Sequence, residues 1–567
     1  MADAKSVNKT HWEAEEDKLG ERMALAMNPG GEKAVERLAK QGKLPVRQLV
    51  DKLVDPGTAF FELSTIAGFG MGYPEVDDVP CAGLVTGIGK VHGNWVMIVA
   101  NDPRVKAGTY FPITVKKHLR AQAIAERCGL NCVYIADSGG AFLPMQADVF
   151  PGEDHFGAMF YNMARMSAMG LKQITLSTGG NTAGGAYIVF MACQSVMIDK
   201  LAYSFLGGPP LVKAATGEVI SAEDLGGAKV HTGISGGADH FCKNQDEAVA
   251  RIRAILSMEK PQALQLQRFP EQEPAAPASA IYENLPANIH QGINIRNILP
   301  ALADAGEFVE YKKEYARGRG DNIVAGKMLL KGMPVGVIAS NGAGILFLEA
   351  ARKATEWIIR CSQEKVPLLF LQNSPGFMVG SASEHAGIGK YGADMVRSVS
   401  CSQVPRIQMV IGPDNGAANY GMCGRAYRPH FLFHTMRSRT SVMSGRSAAE
   451  VLFSIEERKR EARKNPMTEE DKQAVHDLGF RYIVVQKDAF FVAGDDQALV
   501  DNVRRTRLRR MHKTLVRMAG RPVYDDARVA IYTPWGYPVP CDQHLAGIDS
   551  DPVGRTDIGA EMLYTMR

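Results

Sequence analysis

Two turns built from small residues carry the sequence pattern that most directly suggests chemistry. TAGGAY runs from Thr182 to Tyr187 after the apolar run KQITLST, and NGAANY runs from Asn415 to Tyr420 after RIQMVI. Because Gly and Ala have almost no side chain, a ligand can approach the backbone N–H groups of such turns closely. Backbone amides of this kind stabilise a developing enolate or oxyanion, and one donor contributes about 3 kcal/mol.

Each half of the chain contains a second turn of this type. ADSGGAF runs from Ala136 to Phe142, and QNSPGFMVG runs from Gln372 to Gly380. Ligands bind beyond the carboxyl ends of parallel strands, so two turns from successive strands predict a binding site in each half. A structural alternative stays open, because Gly-Gly also permits tight packing of a strand against a helix. A phosphate loop is disfavoured, since the chain has no G-x-x-x-x-G-K-[ST] motif.

The elements that must position these turns occur twice along the chain. Residues 86–102 align with residues 325–341 at an offset of 239, and residues 115–140 align with residues 351–376 at an offset of 236. Each half contains two short strands around a Gly turn, an amphipathic helix, a buried strand and a turn, followed by another helix, strand and turn. Apolar runs that alternate with helices predict a mostly parallel sheet. We therefore predict an α/β protein with two domains of one fold, related by an internal repeat.

The predicted domain boundaries follow from this repeat and from a change in composition. The N-terminal domain covers residues 1–268, and the Pro/Ala-rich stretch FPEQEPAAPASAIYENLP forms a linker over residues 269–286. The C-terminal domain covers residues 287–567, with a helical or irregular extension from about residue 455.

Bulk properties exclude several classes of protein. A net charge of +4 is too small to indicate nucleic-acid binding. The longest apolar runs, such as VPLLFLQ, fall far below the roughly 20 residues of a membrane span, and the polar N-terminus lacks the apolar core of a signal peptide. Nine scattered cysteines indicate reduced thiols, and Cys128 with Cys132 lack a second pair for a zinc site. We expect a cytoplasmic protein without metal, nucleic acid or membrane insertion.

Six stretches together resemble the biotin-dependent acyl-CoA carboxyltransferases: NDPRVKAGTYFPITVKKHLRAQAIAE, DSGGAFLPMQADVFPGEDHFG, TAGGAY, FLGGPPLVKAATGE, LFLQNSPGFMVG and NYGMCGRAY. The similarity runs from about residue 30 to about residue 455 and is strongest to the branch of the 3-methylcrotonyl-CoA carboxylase β-subunits, with geranyl-CoA carboxylase nearby. It implies two tandem crotonase-like (ClpP/crotonase) domains. It also implies that acyl-CoA binds mainly on the N-terminal domain, and that biotin enters against the C-terminal domain of a partner subunit.

The resemblance further implies which residues form the site. The amides of Gly184 and Gly185 would hold the thioester enolate, and those of Gly416, Ala417 and Ala418 would hold the ureido oxygen of biotin. The residues implied on the acyl side are Ser138, Gly139, Gly140, Ala141, Phe142 and Tyr187. Those implied on the biotin side are Pro375, Gly376, Phe377 and Tyr420. No strong side-chain base is needed, because carboxybiotin that has released CO2 can itself take the α or vinylogous proton.

Partner subunits are implied as well. The chain contains no biotin-accepting Met-Lys-Met and no glycine loop of the ATP-grasp type. A biotin carrier and a biotin carboxylase that uses ATP and bicarbonate must therefore be supplied by one or more other polypeptides. The resemblance also implies a homo-hexameric core within a larger complex.

The sequence departs from the family at several positions. Phe142 stands where the branch usually has Asn, and its ring either forms an apolar wall beside the acyl group or faces the core. Pro375 lies in NSPGF where NITGF is usual, and Ala418 replaces a usual Gly. The family's DDGIIDP stretch is missing, and an Arg-rich segment, NVRRTRLRRMHKTLVRM, precedes an aromatic, Pro-rich tail. This segment is either a solvated face or a docking surface for an acidic partner.

Other functions stay open at this stage. The long C-terminal extension also fits the carboxyltransferase subunit of a glutaconyl-CoA-type decarboxylase, which passes CO2 from substrate to biotin. A biotin-independent crotonase-type hydratase or isomerase would need a Glu acid/base beside TAGGAY, and the sequence has none there. A non-catalytic assembly module is disfavoured by the four small-residue turns.

Overall fold

The computed structural model describes residues 2–76, 78–259 and 268–444, together with Ser454, Arg458, Val484–Gln486, Tyr524–Asp525 and Val529–Ile531. Most of the predicted C-terminal extension, including the Arg-rich segment, lies outside the described residues. The chain forms two compact units. The first unit comprises residues 19–264, and the second unit comprises residues 1–18 and 265–567.

The first unit is built around an eight-stranded sheet. Its strands are β1 (Phe61–Leu63), β2 (Leu84–Val91), β3 (Asn94–Asn101), β4 (Asn131–Ser138), β5 (Gln173–Thr182), β6 (Gln194–Ile198), β7 (Tyr203–Phe205) and β8 (His240–Cys242). They pair in the order β1-β2-β3-β4-β5-β6-β8, and β7 also pairs with β5. The pairs β1–β2 and β2–β3 are antiparallel, whereas β3, β4, β5, β6, β7 and β8 pair in parallel.

Helices accompany this sheet in the first unit. They are α1 (Ala2–Met27), which also contributes residues to the second unit, α2 (Gly31–Lys40), α3 (Val46–Leu53), α4 (Pro112–Cys128), α5 (Gln146–Val149), α6 (Phe156–Ala168), α7 (Gly184–Phe190), α8 (Pro209–Thr216), α9 (Ala222–Gly226), α10 (Ala228–Val230) and α11 (Gln245–Ser257). Helix α4 connects the parallel strands β3 and β4, as a parallel sheet requires.

The second unit has a seven-stranded sheet with the same kind of pairing. Its strands are β9 (Phe308–Tyr311), β10 (Ile323–Leu330), β11 (Met333–Ser340), β12 (Leu368–Ser374), β13 (Arg406–Asn415), β14 (Phe431–His434) and β15 (Arg439–Ser441). They pair in the order β9-β10-β11-β12-β13-β14, and β15 also pairs with β13. Antiparallel pairing joins β9, β10 and β11, and parallel pairing joins the later strands.

Among the described residues, fewer helices accompany the second sheet. They are α12 (Ser279–Asn284), α13 (Leu348–Gln363), α14 (Ser381–His385), α15 (Ile388–Cys401) and α16 (Ala417–Gly421). Three short strands, β16 (Val484–Gln486), β17 (Tyr524–Asp525) and β18 (Val529–Ile531), pair antiparallel in the order β16-β18-β17. The expected α/β architecture with two parallel-rich sheets is therefore confirmed.

The start of the chain packs with the second unit, although the predicted boundaries placed it in the N-terminal domain. The Trp12 side chain is buried, and its Nε1 donates to Leu285 O at 2.8 Å. Leu285 lies in the segment predicted as a linker, which also contains α12. Residues 1–18 and this segment therefore pack together within the second unit.

The sequence explains the positions of α4 and α13, the helices that connect β3 to β4 and β11 to β12. Helix α4 starts with Pro112, its Thr114 Oγ1 accepts from Phe111 N at 3.1 Å, and it ends at Gly129 in a left-handed conformation, φ 64°. In α13 the buried residues Ala350, Ala354, Trp357 and Cys361 recur at helical spacing, so one face packs on the sheet.

The turns after β5 and β13 have matching backbone geometry. Ala183 has φ 52° and ψ −119°, and Gly416 has φ 56° and ψ −145°. A positive φ costs an L-residue about 1–3 kcal/mol in such a sparsely populated region, whereas Gly adopts it without strain. The same turn conformation is therefore adopted by alanine at position 183 and by glycine at position 416.

Two separate substitutions, Gly416→Ala and Ala183→Gly, test whether this turn strains the backbone of alanine. We expect Gly416→Ala to lower the free energy of unfolding by about 1–3 kcal/mol, because the new Cβ would also lie 3.0 Å from Val442 O. We expect Ala183→Gly to leave the free energy unchanged or raise it by up to about 1 kcal/mol, since relief of strain competes with unfolded-state entropy. Urea unfolding of both variants, followed by circular dichroism, provides the measurement. Equal destabilisation by both substitutions would contradict this account.

Candidate active site

The first pair of turns lies at one edge of the first sheet. Strands β4 and β5 are parallel neighbours, with Ser138 opposite Asn181 near their carboxyl ends. A Cβ added at Gly185 would lie 3.1 Å from Ser138 Oγ, and one added at Gly140 would lie 3.6 Å from Thr182 O. The structure therefore brings the SGGAF turn and the TAGGAY turn into contact.

The second unit repeats this arrangement. Strands β12 and β13 are parallel neighbours, with Ser374 opposite Asp414. A Cβ at Gly421 would lie 3.5 Å from the ring of Phe377, so the helix after the NGAANY turn packs on the other turn. Pro375 is exposed, and Gly376 has φ 138°.

Each of the later turns leaves two adjacent amides without an acceptor. The N–H groups of Gly184 and Gly185 have no hydrogen-bond acceptor among the described residues, while Ala183 N donates to Phe205 O at 3.0 Å and Ala186 N donates to Ala183 O at 3.1 Å. In the second unit the amides of Ala417 and Ala418 are likewise unbonded within the described part of the chain. There Gly416 N donates to Ser441 O at 3.0 Å, and Asn419 N donates to Gly416 O at 3.1 Å.

In each of the earlier turns, the serine side chain accepts a hydrogen bond from an amide of the same turn. Ser138 Oγ accepts from Gly140 N, and Ser374 Oγ accepts from Gly376 N, each at 3.2 Å. Gly139 N donates to Ala107 O at 3.0 Å. These amides are already bonded within the chain. The earlier turns therefore contribute to the structure of the sheet edge, and the unbonded donors belong to the later turns.

Room for the first pair of free amides depends on glycine. A Cβ at Gly184 would overlap the ring of Phe156, which is 4% exposed and lies at the start of α6. The equivalent residue in the second unit is Ala417, which is exposed. Glycine is required at 184 because an aromatic ring fills the space behind the turn.

A tyrosine follows each pair of amides at the same distance along the chain. Tyr187 is 42% exposed, with its ring centroid 5.5 Å from that of Phe160. Tyr420 is 41% exposed, with its centroid 5.6 Å from that of Tyr427. Both rings lie at the surface beside unbonded amides.

Phe142 lies in an aromatic cluster under the first turn. Its side chain is 8% exposed, and its ring centroid lies 4.5 Å from that of Phe111, which stacks on Tyr73. The neighbouring Ala141 forms a parallel bridge with Tyr110. Of the two alternatives for Phe142, this packing favours the core-facing one.

A charged pair that the motifs did not reveal lies directly before the first turn. Lys43 Nζ lies 2.6 Å from Asp137 Oδ2, and the side chains are 13% and 9% exposed. Burial raises the pKa of Asp137 above its usual value, and Lys43 opposes that shift. Lys43 lies between α2 and α3, 94 positions from Asp137, so only the folded chain makes this pair.

The pair lines a cavity of about 720 Å³ within the first unit. The cavity runs beside α2 and reaches Gly139 and Thr182 at the turn edge. Its charged lining side chains are Arg37, Lys43, Asp78, Arg104, Lys106 and Asp137. The lining therefore carries more basic than acidic side chains, which suits an anionic ligand.

Comparison with known proteins identifies the family. Residues 37–517 match the family model described as the carboxyl transferase domain. The chain belongs to the carboxyl transferase family.

Individual relatives agree with this family assignment. The methylcrotonoyl-CoA carboxylase beta chain of Dictyostelium discoideum is 47% identical over 450 residues, which cover 78% of this chain and 73% of that protein. The biotin-dependent 3-methylcrotonyl-coenzyme A carboxylase beta1 subunit of Mycobacterium tuberculosis is 44% identical over 457 residues, covering 80% and 85%. The crystal structure of the P. aeruginosa geranyl-CoA carboxylase beta subunit matches with a TM-score of 0.70 at 34% identity, covering 81% of this chain and 83% of that one.

The resemblance found in the sequence motifs is confirmed by these matches. Within the carboxyl transferase family, the chain is the carboxyltransferase subunit of a biotin-dependent acyl-CoA carboxylase. Among the described residues, no helix has both the length and the apolar character needed to cross a bilayer.

Lys43 provides a test of the electrostatics at the turn edge. We expect Lys43→Met to lower the free energy of unfolding by about 3–5 kcal/mol at pH 7.5, because it leaves the Asp137 carboxylate buried and unpaired. Since the folded-state pKa of Asp137 is raised, and rises further without Lys43, protonation at lower pH removes the unpaired charge. The loss should therefore be smaller at pH 5 than at pH 7.5.

The double variant Lys43→Met/Asp137→Asn is the matched control. It lacks the carboxylate, so the difference in unfolding free energy between the two variants should be smaller at pH 5 than at pH 7.5. Urea unfolding of the two variants and the parent protein at both pH values makes the comparison. A loss in Lys43→Met that is equal at the two pH values would contradict the account.

Proposed function

We propose that the two pairs of unbonded amides are the oxyanion holes of a carboxyl transfer between biotin and an acyl-CoA. The amides of Gly184 and Gly185 would hold the thioester enolate, and those of Ala417 and Ala418, in the turn opened by Gly416, would hold the ureido oxygen of biotin. The observation that carries the proposal is the matched geometry. Each unit has two adjacent N–H groups without an acceptor among the described residues, in a positive-φ turn at the end of an inner parallel strand.

Both holes fit acceptor-only groups. A thioester oxygen and a ureido oxygen gain negative charge when an enolate forms, and fixed amide dipoles stabilise that charge without reorganisation. Carboxybiotin, carried on a separate subunit, supplies the CO2 and the acceptor for the substrate proton when it is bound. The residues of this chain orient the two oxygens, and the small side chains at 184, 185, 417 and 418 allow them to reach the backbone.

The remaining assignments of residues follow from the same arrangement. The acyl side includes Ser138, Gly139, Gly140, Ala141, Phe142 and Tyr187, and the biotin side includes Pro375, Gly376, Phe377 and Tyr420. Phe142 contributes there through its packing under the turn, and the exposed rings of Tyr187 and Tyr420 flank the two holes. The matching strand orders of the two sheets support the inference that the units are repeats of one crotonase-like domain.

The substrate class and the assembly are part of the proposal. Relatives named as methylcrotonoyl-CoA and geranyl-CoA carboxylases favour an enolisable acyl-CoA that is branched or α,β-unsaturated. Biotin carboxylase and biotin carrier subunits would use ATP and bicarbonate to load biotin. We further propose a homo-hexameric core. A cytoplasmic location stays a prediction, since the Dictyostelium relative is named as mitochondrial.

Purification from the native host with its partners tests the function. Mass spectrometry would identify a biotinylated companion, and labelled bicarbonate with ATP would be offered with a panel of acyl-CoAs that includes 3-methylcrotonyl-CoA and geranyl-CoA. We expect ATP-dependent incorporation of label into one thioester. CO2 release from a glutaconyl-type thioester without fixation would instead indicate the decarboxylase, and hydration without biotin would indicate the crotonase-type alternative.

A single methyl group tests the first oxyanion hole. We expect Gly184→Ala to lower kcat/KM in the complex by roughly 100-fold or more, because its Cβ overlaps the Phe156 ring and must displace the amides. The matched control is Gly157→Ala in α6, where a Cβ would meet no atom within 4 Å. Gly184→Ala/Phe156→Leu, which makes room for the methyl group, should recover part of the activity. Full activity in Gly184→Ala would contradict the role of this turn.

A further inference from the structure

A tyrosine and a histidine form a buried polar pair behind the turns of the first unit. Tyr110 lies just before α4 and His118 lies within it, and both side chains are 0% exposed. Tyr110 OH and His118 Nδ1 are 3.1 Å apart, which is hydrogen-bond distance. Burial lowers the pKa of His118 to about 3, so its imidazole is neutral at physiological pH. The pair is therefore a hydrogen bond between two neutral groups.

Tyr110 contacts both turns of the candidate site. Its backbone N donates to Gly140 O at 2.8 Å, and its backbone O accepts from Phe142 N at 2.9 Å, so its main chain pairs with the SGGAF turn. Its ring packs edge-on against Phe156, with the centroids 4.8 Å apart and the ring planes at 75°. A Cβ at Gly184 would overlap that same Phe156 ring. One residue therefore connects the SGGAF turn with the ring that lies behind the first oxyanion hole.

The second unit keeps the main-chain contacts of Tyr110 but not the polar pair. Leu346 makes the same two backbone bonds to the neighbouring turn, at 3.0 and 2.9 Å. Ala354 stands at the position of His118, because α4 and α13 align at an offset of 236. Leu346 and Ala354 are both 0% exposed. The same backbone arrangement thus forms around an apolar pair.

A buried hydroxyl–imidazole bond orients side chains more than it stabilises a fold. Its net contribution to stability is small, because folding exchanges bonds with water for bonds within the chain. Burial of both polar groups also costs free energy that the apolar pair of the second unit does not incur. A hydrogen bond is directional, however, and buried polar networks specify a single arrangement of the groups that they join. The bond to His118 therefore fixes the orientation of the Tyr110 ring on Phe156.

We propose that Tyr110 and His118 are positioning residues for the first oxyanion hole. Their hydrogen bond keeps the Tyr110 ring against Phe156, and Phe156 in turn supports the backbone that presents the Gly184 and Gly185 amides. This inference rests on the proposed role of those amides. Because charge on the thioester oxygen develops only as the enolate forms, a small displacement of the amides lowers kcat more than it weakens the binding of acyl-CoA.

The first test measures carboxylation by the intact complex, with the acyl-CoA that the parent complex carboxylates. Tyr110→Phe removes only the hydroxyl group and leaves the ring. We expect kcat to fall at least about tenfold while KM for acyl-CoA changes less than about twofold, since the loss concerns the transition state and not the bound substrate.

Tyr134→Phe is the matched control. Tyr134 is 1% exposed, and its OH donates to Gln173 Oε1 at 2.7 Å. Phe370 stands at the corresponding position of the second unit, at the same offset of 236. Both variants lose one buried hydroxyl group, so both should unfold at a lower temperature than the parent. Only Tyr110→Phe should lose activity, and kcat of Tyr134→Phe should stay within about twofold of the parent value.

Variants of His118 separate positioning from folding. Tyr110→Phe/His118→Leu removes both polar groups, so it should unfold at a higher temperature than Tyr110→Phe, which leaves the imidazole unpaired. Its kcat should nevertheless stay at least about tenfold below that of the parent. His118→Asn retains a polar group near the position of Nδ1 and should keep kcat within about threefold of the parent, whereas His118→Ala should lower it at least about tenfold.

The outcomes separate this inference from the proposed function. Parent-like kcat in Tyr110→Phe, or equal losses of kcat in Tyr110→Phe and Tyr134→Phe, would overturn the positioning role while carboxylation by the parent complex persists. Recovery of kcat together with thermal stability in the double variant, or equal kcat in His118→Asn and His118→Ala, would overturn it as well. Full activity in Gly184→Ala would overturn the oxyanion hole on which the inference rests, and absence of carboxylation by the parent complex would overturn the proposed function itself.

Discussion

The close approach of backbone to backbone at the ends of two parallel strands is the constraint on which the rest of this protein depends. Strands β4 and β12 each end against a turn whose glycine, Gly108 or Gly344, leaves no room for a Cβ beside the carbonyl oxygen of Asp137 or Asn373. That contact fixes the earlier turn, and the parallel register then places the later turn beside it. The free amides of Gly184, Gly185, Ala417 and Ala418 are consequences of this packing.

The two units share one backbone arrangement but differ in the charged groups at the ends of β4 and β12. Asp137 and Asn373 occupy the same place at the strand end, before Ser138 and Ser374. Asp137 pairs with Lys43 at the wall of a basic cavity. Asn373 Oδ1 instead accepts from Arg437 Nη1 at 2.8 Å. The first turn therefore lies beside an ion pair of Lys and Asp, whereas the second lies beside a guanidinium that bonds a neutral amide.

Arg437 connects the end of β12 to the segment that precedes β9 in the second unit. It is 1% exposed and donates to the carbonyl oxygens of Pro286, Ile289 and Gln291 at 2.8–3.1 Å. Burial lowers its pKa to about 10, with a smaller contribution from Arg439. A guanidinium saturated by carbonyl oxygens has little capacity for a ligand, so it stabilises the segment before β9 against the sheet. Lys106, by contrast, lines the cavity of the first unit and forms no ion pair with any described residue.

The sequence by itself determined the α/β class, the family and the positions of the four turns, because these depend on local patterns: apolar runs, helical spacing and residues without side chains. It could not decide which amides are free, since Gly140 and Gly376 look as available as Gly184 until their bonds to Ser138 and Ser374 are seen. It left Phe142 open between wall and core, because burial depends on Tyr73 and Phe111 elsewhere in the chain. Only the tertiary structure decided the pair of Lys43 with Asp137 and the cavity that this pair lines, because both are formed by segments far apart in sequence that meet at the carboxyl edge of a sheet.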